Sequence, residues 1–309
     1  MGGEEGEMGR AQPIPVLLVR SYSVYATYGN HYESKPLIAL IFYEVSGGPF
    51  GVEDSVKAGG GPLLSLLGFL IFPLLWSVPK ALVIAKRATS FPKNGGYVLW
   101  ISAAFGPFWG FQEGFLKWFG GVLDNALYPI LFLDYLKRSF PIFNRLIARI
   151  PALLGLTVSL TYLNYRGLNI VGLQFPSLAF FAFAILVMGL LSIPRIRPKK
   201  WLVVDFSKRQ SSFGHRSWIE WSDGYFAEVG MLVGGFWLKW WIQATATMSN
   251  LGLFEAEMSS DAFQLLRMSE MGMLPAIFAL RSKYGTPTIS ILWGHLLIVD
   301  ELSRNYRIS

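Results

Sequence analysis

Apolar positions in this chain fall in long blocks instead of alternating with polar ones. The blocks occupy residues 37–56, 62–84, 105–136, 150–165, 168–193 and 225–254, with weaker ones at 273–280 and 286–299. Runs of about 18–25 apolar residues match the hydrocarbon thickness of a bilayer, whereas core helices of soluble proteins are usually shorter and amphipathic. The pattern predicts an all-α membrane protein with six or seven spans and no soluble domain. A polar stretch rich in Lys, Arg, Ser and Trp separates residues 37–193 from the later blocks. The organisation expected is a disordered tail at 1–36, five spans within 37–193 and a polar linker at 194–224. One or two further spans follow within 225–299, then a short tail at 300–309.

Composition supports this reading. Hydrophobic residues make up 52% of the 309 and charged residues 15%, against about 25% charged in soluble domains. The formal charge of +7 comes in short clusters between blocks, such as Lys137-Arg138 and residues 195–200. Basic loops of that kind flank membrane spans, and their placement excludes a nucleic-acid surface. With no cysteine and three scattered histidines (His31, His215, His295), disulfide, thiolate and metal chemistry are not expected. Walker-type, HExxH and GxSxG motifs are lacking, so neither a cofactor nor an enzymatic activity is expected. The first 36 residues lack signal-peptide features, and the first span would act as an uncleaved insertion signal. Trp100, Trp109, Trp118, Trp201, Trp237, Trp240 and Trp241 cluster near block ends, where interfacial belts require them.

The most informative segment is Gly47-Gly48-Pro49-Phe50-Gly51, halfway along the first block. Inside a helix Gly is about 1 kcal/mol and Pro about 3 kcal/mol worse than Ala. At bilayer depth a break is tolerated only where the freed backbone lines a protein-enclosed cavity, which is how transporters build midplane substrate sites. A simple kink is the plainer reading of the same residues. Glu53 and Asp54 follow directly and would suit a cationic substrate or a proton, or else lie at the interface. Further along, Glu113 and Lys117 are four apart and positioned to pair. Asp124 has no local cation, and an unpaired acid within a span is a functional candidate. Asn250 is a candidate cavity residue, whereas Glu255, Glu257 and Asp261 beyond it are expected in water.

Several stretches resemble plant polyamine uptake transporters of the amino acid–polyamine–organocation (APC) superfamily. They are YEVSGGPFGVEDSV at 43–56, SFPKNGGYVLWISAAFGPFWG at 90–110, residues 111–136, LTYLNYRGLNIVG at 160–172, and 220–265. The resemblance covers most of residues 41–290. It implies a multi-span helical bundle of the inverted-repeat, LeuT-like type, with a cytosolic N-terminus. It also implies proton-coupled uptake of putrescine, spermidine or spermine across the plasma membrane. Gly47, Gly48, Pro49 and Gly51 would form the broken first helix of the substrate site, with Glu53, Asp124 and Asn250 as further contacts. Three departures stand out. Residues 206–219 replace two family helices, one of them the partner of the broken first helix. Lys80, Lys86 and Lys93 stand where the family carries acids, and residues 293–309 do not resemble it. An incomplete bundle is therefore expected, from a truncated or internally deleted gene product. Its alternatives are a non-transporting paralogue that associates with full-length relatives, or a cationic amino-acid permease.

Overall fold

The computed structural model describes residues 62–91, 95–137, 139–167, 175–195 and 224–307. The first apolar block, the tail before it and residues 196–223 of the polar linker lie outside the described residues. All described elements are helical apart from an isolated bridge between Arg281 and Pro287.

The second apolar block forms α1 (Pro62–Phe72), a five-residue π-helix (Pro73–Ser77) and α2 (Val78–Ser90). Pro73 has no amide hydrogen to give the preceding turn, and a π-turn is a common local answer to such a loss. Together they make one rod, Leu63–Ser90, that is long and apolar enough to cross a membrane. The third block is preceded by a short helix, α3 (Gly96–Phe105), which turns sharply at Gly106 into α4 (Pro107–Lys137). A four-residue 3₁₀ turn (Pro141–Asn144) leads to α5 (Leu146–Arg166), the second helix that meets the length and hydropathy for a span. Next comes α6 (Phe175–Ser192).

After the linker the same sequence of elements recurs. A ten-residue helix, α7 (Tyr225–Gly234), turns at Gly235 into the 35-residue α8 (Phe236–Glu270). A four-residue 3₁₀ turn (Ala276–Ala279) follows, then α9 (Thr288–Arg307). Both reversals use glycine at dihedrals closed to L side chains: Gly106 has φ 98°, ψ 165° and Gly235 has φ 84°, ψ −163°. The reversal at Gly106 is so tight that a Cβ at Gly110 would lie 2.7 Å from the Val98 carbonyl oxygen.

Helices α4 and α8 run antiparallel and touch along their length. The Gln264 amide donates to the Gly114 carbonyl at one end, Gly121 abuts Asp261 in the middle, and the Gln243 amide donates to the Tyr135 carbonyl at the other. From Gly114 to Tyr135 the shared seam spans about 30 Å at 1.5 Å rise per residue. Glycine makes it close: a Cβ at Gly114 would sit 2.7 Å from Met268 Sδ and 2.8 Å from Val98 Cγ2. Helices α5 and α9 pack across the same pair, giving a core of Trp118, Val122, Leu160, Phe254, Met258, Leu265, Ile291 and Ile298.

Three expectations are corrected. Helix α8 continues sixteen residues past Phe254, so Glu255 and Asp261 are buried inside it and not in water. Helix α5 begins a turn earlier than the apolar block suggests. Trp118 is buried in the core instead of standing at an interface, although Trp109 and Trp237 are exposed.

Candidate functional site

Polar side chains converge on the middle of the α4–α8 seam. The apolar stripe of α5 is interrupted on its inward face by Thr157, Thr161 and Asn164, spaced four and three apart and all buried. The two threonines return their hydroxyl hydrogens to carbonyls one turn back, Leu153 at 2.8 Å and Thr157 at 2.7 Å. That is the usual way to bury a hydroxyl in a helix. Thr161 Oγ1 also lies 2.9 Å from His295 Nδ1 on α9.

Asn164 reaches α8. Its Nδ2 donates to the Glu255 carbonyl oxygen at 2.9 Å, to Ser259 Oγ at 2.9 Å and to Glu255 Oε2 at 3.3 Å. From the opposite side Asn125 of α4 reads the same turn. In the amide orientation that satisfies both groups, it donates to the Phe254 carbonyl at 3.2 Å and accepts from the Met258 amide at 2.9 Å. Two asparagines on two helices thus grip residues 254–259. Glu255 is fully buried, and Oε1 has no hydrogen-bond partner among the described residues.

Of the substrate contacts expected from the sequence, Asp124 and Asn250 fall among the described residues. Gly47, Gly48, Pro49, Gly51 and Glu53 lie outside the described residues. Asp124 sits on the exposed face of α4, while its neighbour Asn125 faces α8. Asn250 is buried, and its Nδ2 donates to the Ala246 carbonyl of its own helix at 2.9 Å. Lys117 lies with its ammonium 4.4 Å from the centre of the Tyr97 ring, a cation–π contact with α3. The Asn125–Asn164–Glu255–Ser259 cluster was not anticipated. Its signal was the i, i+4 and i, i+3 spacing of small and polar residues along 157–164 and 246–262, which marks helix faces meeting in a membrane.

Ion pairs sit at both ends of the seam. Asp134 Oδ1 accepts from Lys137 at 2.9 Å and from Arg149 at 2.6 Å, tying α4 to α5. Glu270 accepts from Arg267 at 2.5 Å and from Arg281 at 2.9 Å, tying α8 to the segment before α9. Elsewhere many large apolar side chains are exposed, including Leu70, Phe72, Leu75, Leu82, Phe108 and Ile147. A water-soluble fold would not present so much contiguous apolar surface.

Extensive exposed apolar surface, ion pairs at the bundle ends and an apolar core threaded with buried amides, hydroxyls and two carboxyls define an integral membrane protein built as a helix bundle. Closed helices satisfy their own backbone in lipid, and the polar side chains turn inward. The chain belongs to the amino acid permease family, whose model matches residues 37–232. Members of that family are transport proteins, not enzymes. The chain is similar to a probable polyamine transporter of Arabidopsis thaliana, 61% identical over 313 aligned residues that cover 83% of this chain and 65% of that protein. It is 47% identical to the polyamine transporter RMV1 of the same plant, over 84% of this chain and 64% of that one. With polyamine transporter PUT1 of Oryza sativa subsp. japonica the identity is 45%, over 84% and 59%. The chain therefore spans less than two thirds of the length of these relatives. The first alignment runs to 313 residues while covering 83% of a 309-residue chain, so that relative carries internal residues with no counterpart here.

Proposed function

We propose that this chain is a secondary transporter that takes up polyamines across the plasma membrane, coupled to a proton. The observation that carries the reading is its 61% identity to a relative named as a probable polyamine transporter. The permease match over 37–232 and the membrane-type interior support it. In this reading α3–α5 and α7–α9 are two copies of one structural unit in opposite orientation. The matched element order and the antiparallel α4–α8 pair support that assignment. Substrate would be held at the helix break formed by Gly47, Gly48, Pro49 and Gly51, with Glu53 neutralising an ammonium group. Asp124 and Asn250 are secondary candidates, and their separate surroundings favour neither as a direct partner of the other.

Uptake of labelled spermidine by the full chain, in cells lacking their own polyamine uptake, tests the reading. Saturable uptake above vector cells, abolished by a protonophore, is expected. Chain present at the cell surface with uptake equal to vector would overturn it. Excess arginine separates the reading from that of a cationic amino-acid permease: competition as strong as that of unlabelled spermidine would favour the latter. The internal residues missing relative to the first relative favour a second reading, a non-transporting partner of full-length relatives. Co-purification with such a relative, together with a change in its uptake rate, would support that alternative.

A further inference from the structure

Glu255 occupies the turn of α8 that both α4 and α5 grip, and it is 0% exposed. Three acceptors share Asn164 Nδ2, which has two hydrogens. The Glu255 carboxyl oxygen, at 3.3 Å, is the most distant of the three. The second carboxyl oxygen has no hydrogen-bond partner among the described residues, and no described Lys, Arg or His pairs with this acid. Satisfied buried polar groups are ordinary; a buried acid left half satisfied at the centre of a helix seam is not. Its own element carries Glu257 and Asp261, the latter against Gly121 of α4. Helix α5 presents Asn164 here, with Tyr165 and Arg166 beyond it. Arg166 is engaged with Tyr162 at 3.1 Å and lies over the Tyr284 ring. Helix α9 presents His295, held by Thr161 one turn from Asn164. Helix α4 presents Asn125, next to the outward-facing Asp124.

The cation that suits such a position is a proton. A divalent metal ion needs several such ligands around it, and the described residues hold no group of three or more acids, histidines or cysteines that could supply them. We infer that Glu255 takes up and releases the coupling proton, its carboxyl held by Asn164. The inference rests on the proton-coupled reading above. The step is a simple exchange: a carboxylate oxygen bonds one proton to become the acid, and the same O–H bond breaks on release. No other reactant is needed.

Two readouts on the purified full chain in lipid separate this inference from the transport reading. In infrared spectra recorded across a pH step, the wild-type chain should show a carboxylic-acid carbonyl band that is absent from Glu255→Gln. In uptake assays, Glu255→Gln should lose at least tenfold of gradient-driven spermidine accumulation while retaining spermidine exchange at equal pH on both sides. Identical infrared differences in the two proteins, or unchanged gradient-driven accumulation in Glu255→Gln, would overturn the assignment. Absence of all uptake by wild type would instead count against the transport reading, and the infrared band would still decide on Glu255. If Glu255→Gln does not fold, Asn164→Ala serves in its place. It should move the midpoint of the band along the pH axis, and an unmoved midpoint would overturn the inference.

Discussion

Gly120 and Gly121 are neighbours in sequence with opposite surroundings. A Cβ at Gly120 would meet nothing within 4 Å, whereas at Gly121 it would overlap the Asp261 carboxylate. Gly121→Ala is therefore expected to cost about 1–3 kcal/mol by displacing the buried Asp261 carboxylate packed against it. Gly120→Ala should be neutral, or stabilising by up to about 1 kcal/mol through helix propensity. Thermal unfolding of both variants in the same detergent checks the pair, and equal losses would refute the close seam. Asn164→Leu removes the donor that serves the Glu255 carbonyl, its carboxyl and Ser259 together. The expected loss in the same assay is about 1–3 kcal/mol, the scale of leaving buried acceptors unpaired. The sequence signalled a function for Asp124 because it is an acid without a local cation. What spacing alone does not reveal is rotation about the helix axis: one residue further, Asn125 faces the partner helix and Asp124 faces out.

At the scale of elements, the two single-residue reversals decide how each short helix folds back on the long one. Gly106→Ala and Gly235→Ala should each cost about 1–3 kcal/mol, because an L side chain at these dihedrals is strained wherever it points. Gly155→Ala, in open space on α5, is the control and should cost nothing. Protein yield and unfolding temperature read the difference. The hydropathy blocks predicted α4 closely, at 105–136 against the observed Pro107–Lys137. They stopped α8 at Phe254 because Glu255, Glu257 and Asp261 look like residues that seek water. Helix α8 instead continues to Glu270, its inward stripe of Ala246, Asn250, Phe254, Met258, Ala262 and Leu266 keeping helical spacing through the acids. Most of the circumference of this stretch is buried, Phe254, Glu255 and Ala256 in succession, so acids that hydropathy reads as a terminus lie inside the bundle.

At the scale of the whole molecule, the described interior combines apolar packing with buried amides, hydroxyls and two acids, Glu255 and Asp261, while many leucines and phenylalanines face outward. The class of fold and the family were legible from apolar block lengths and from colinear motifs. An inverted repeat was expected from the resemblance alone: the order short helix, glycine turn, long helix, 3₁₀ turn and helix, which occurs twice among the described elements, has no counterpart in a repeated residue pattern. That recurrence and the antiparallel α4–α8 seam make a geometric demand on any bilayer containing the chain. The segment after α4 and the segment after α8 must emerge on opposite faces. The native chain has no cysteine, so Asn144→Cys and Lys283→Cys, both at exposed positions in those segments, can be labelled one at a time in intact cells with a membrane-impermeant maleimide. One of the two should label from outside and the other only after permeabilisation. Labelling of both from the same side would contradict the antiparallel membrane scaffold on which the transport reading is built.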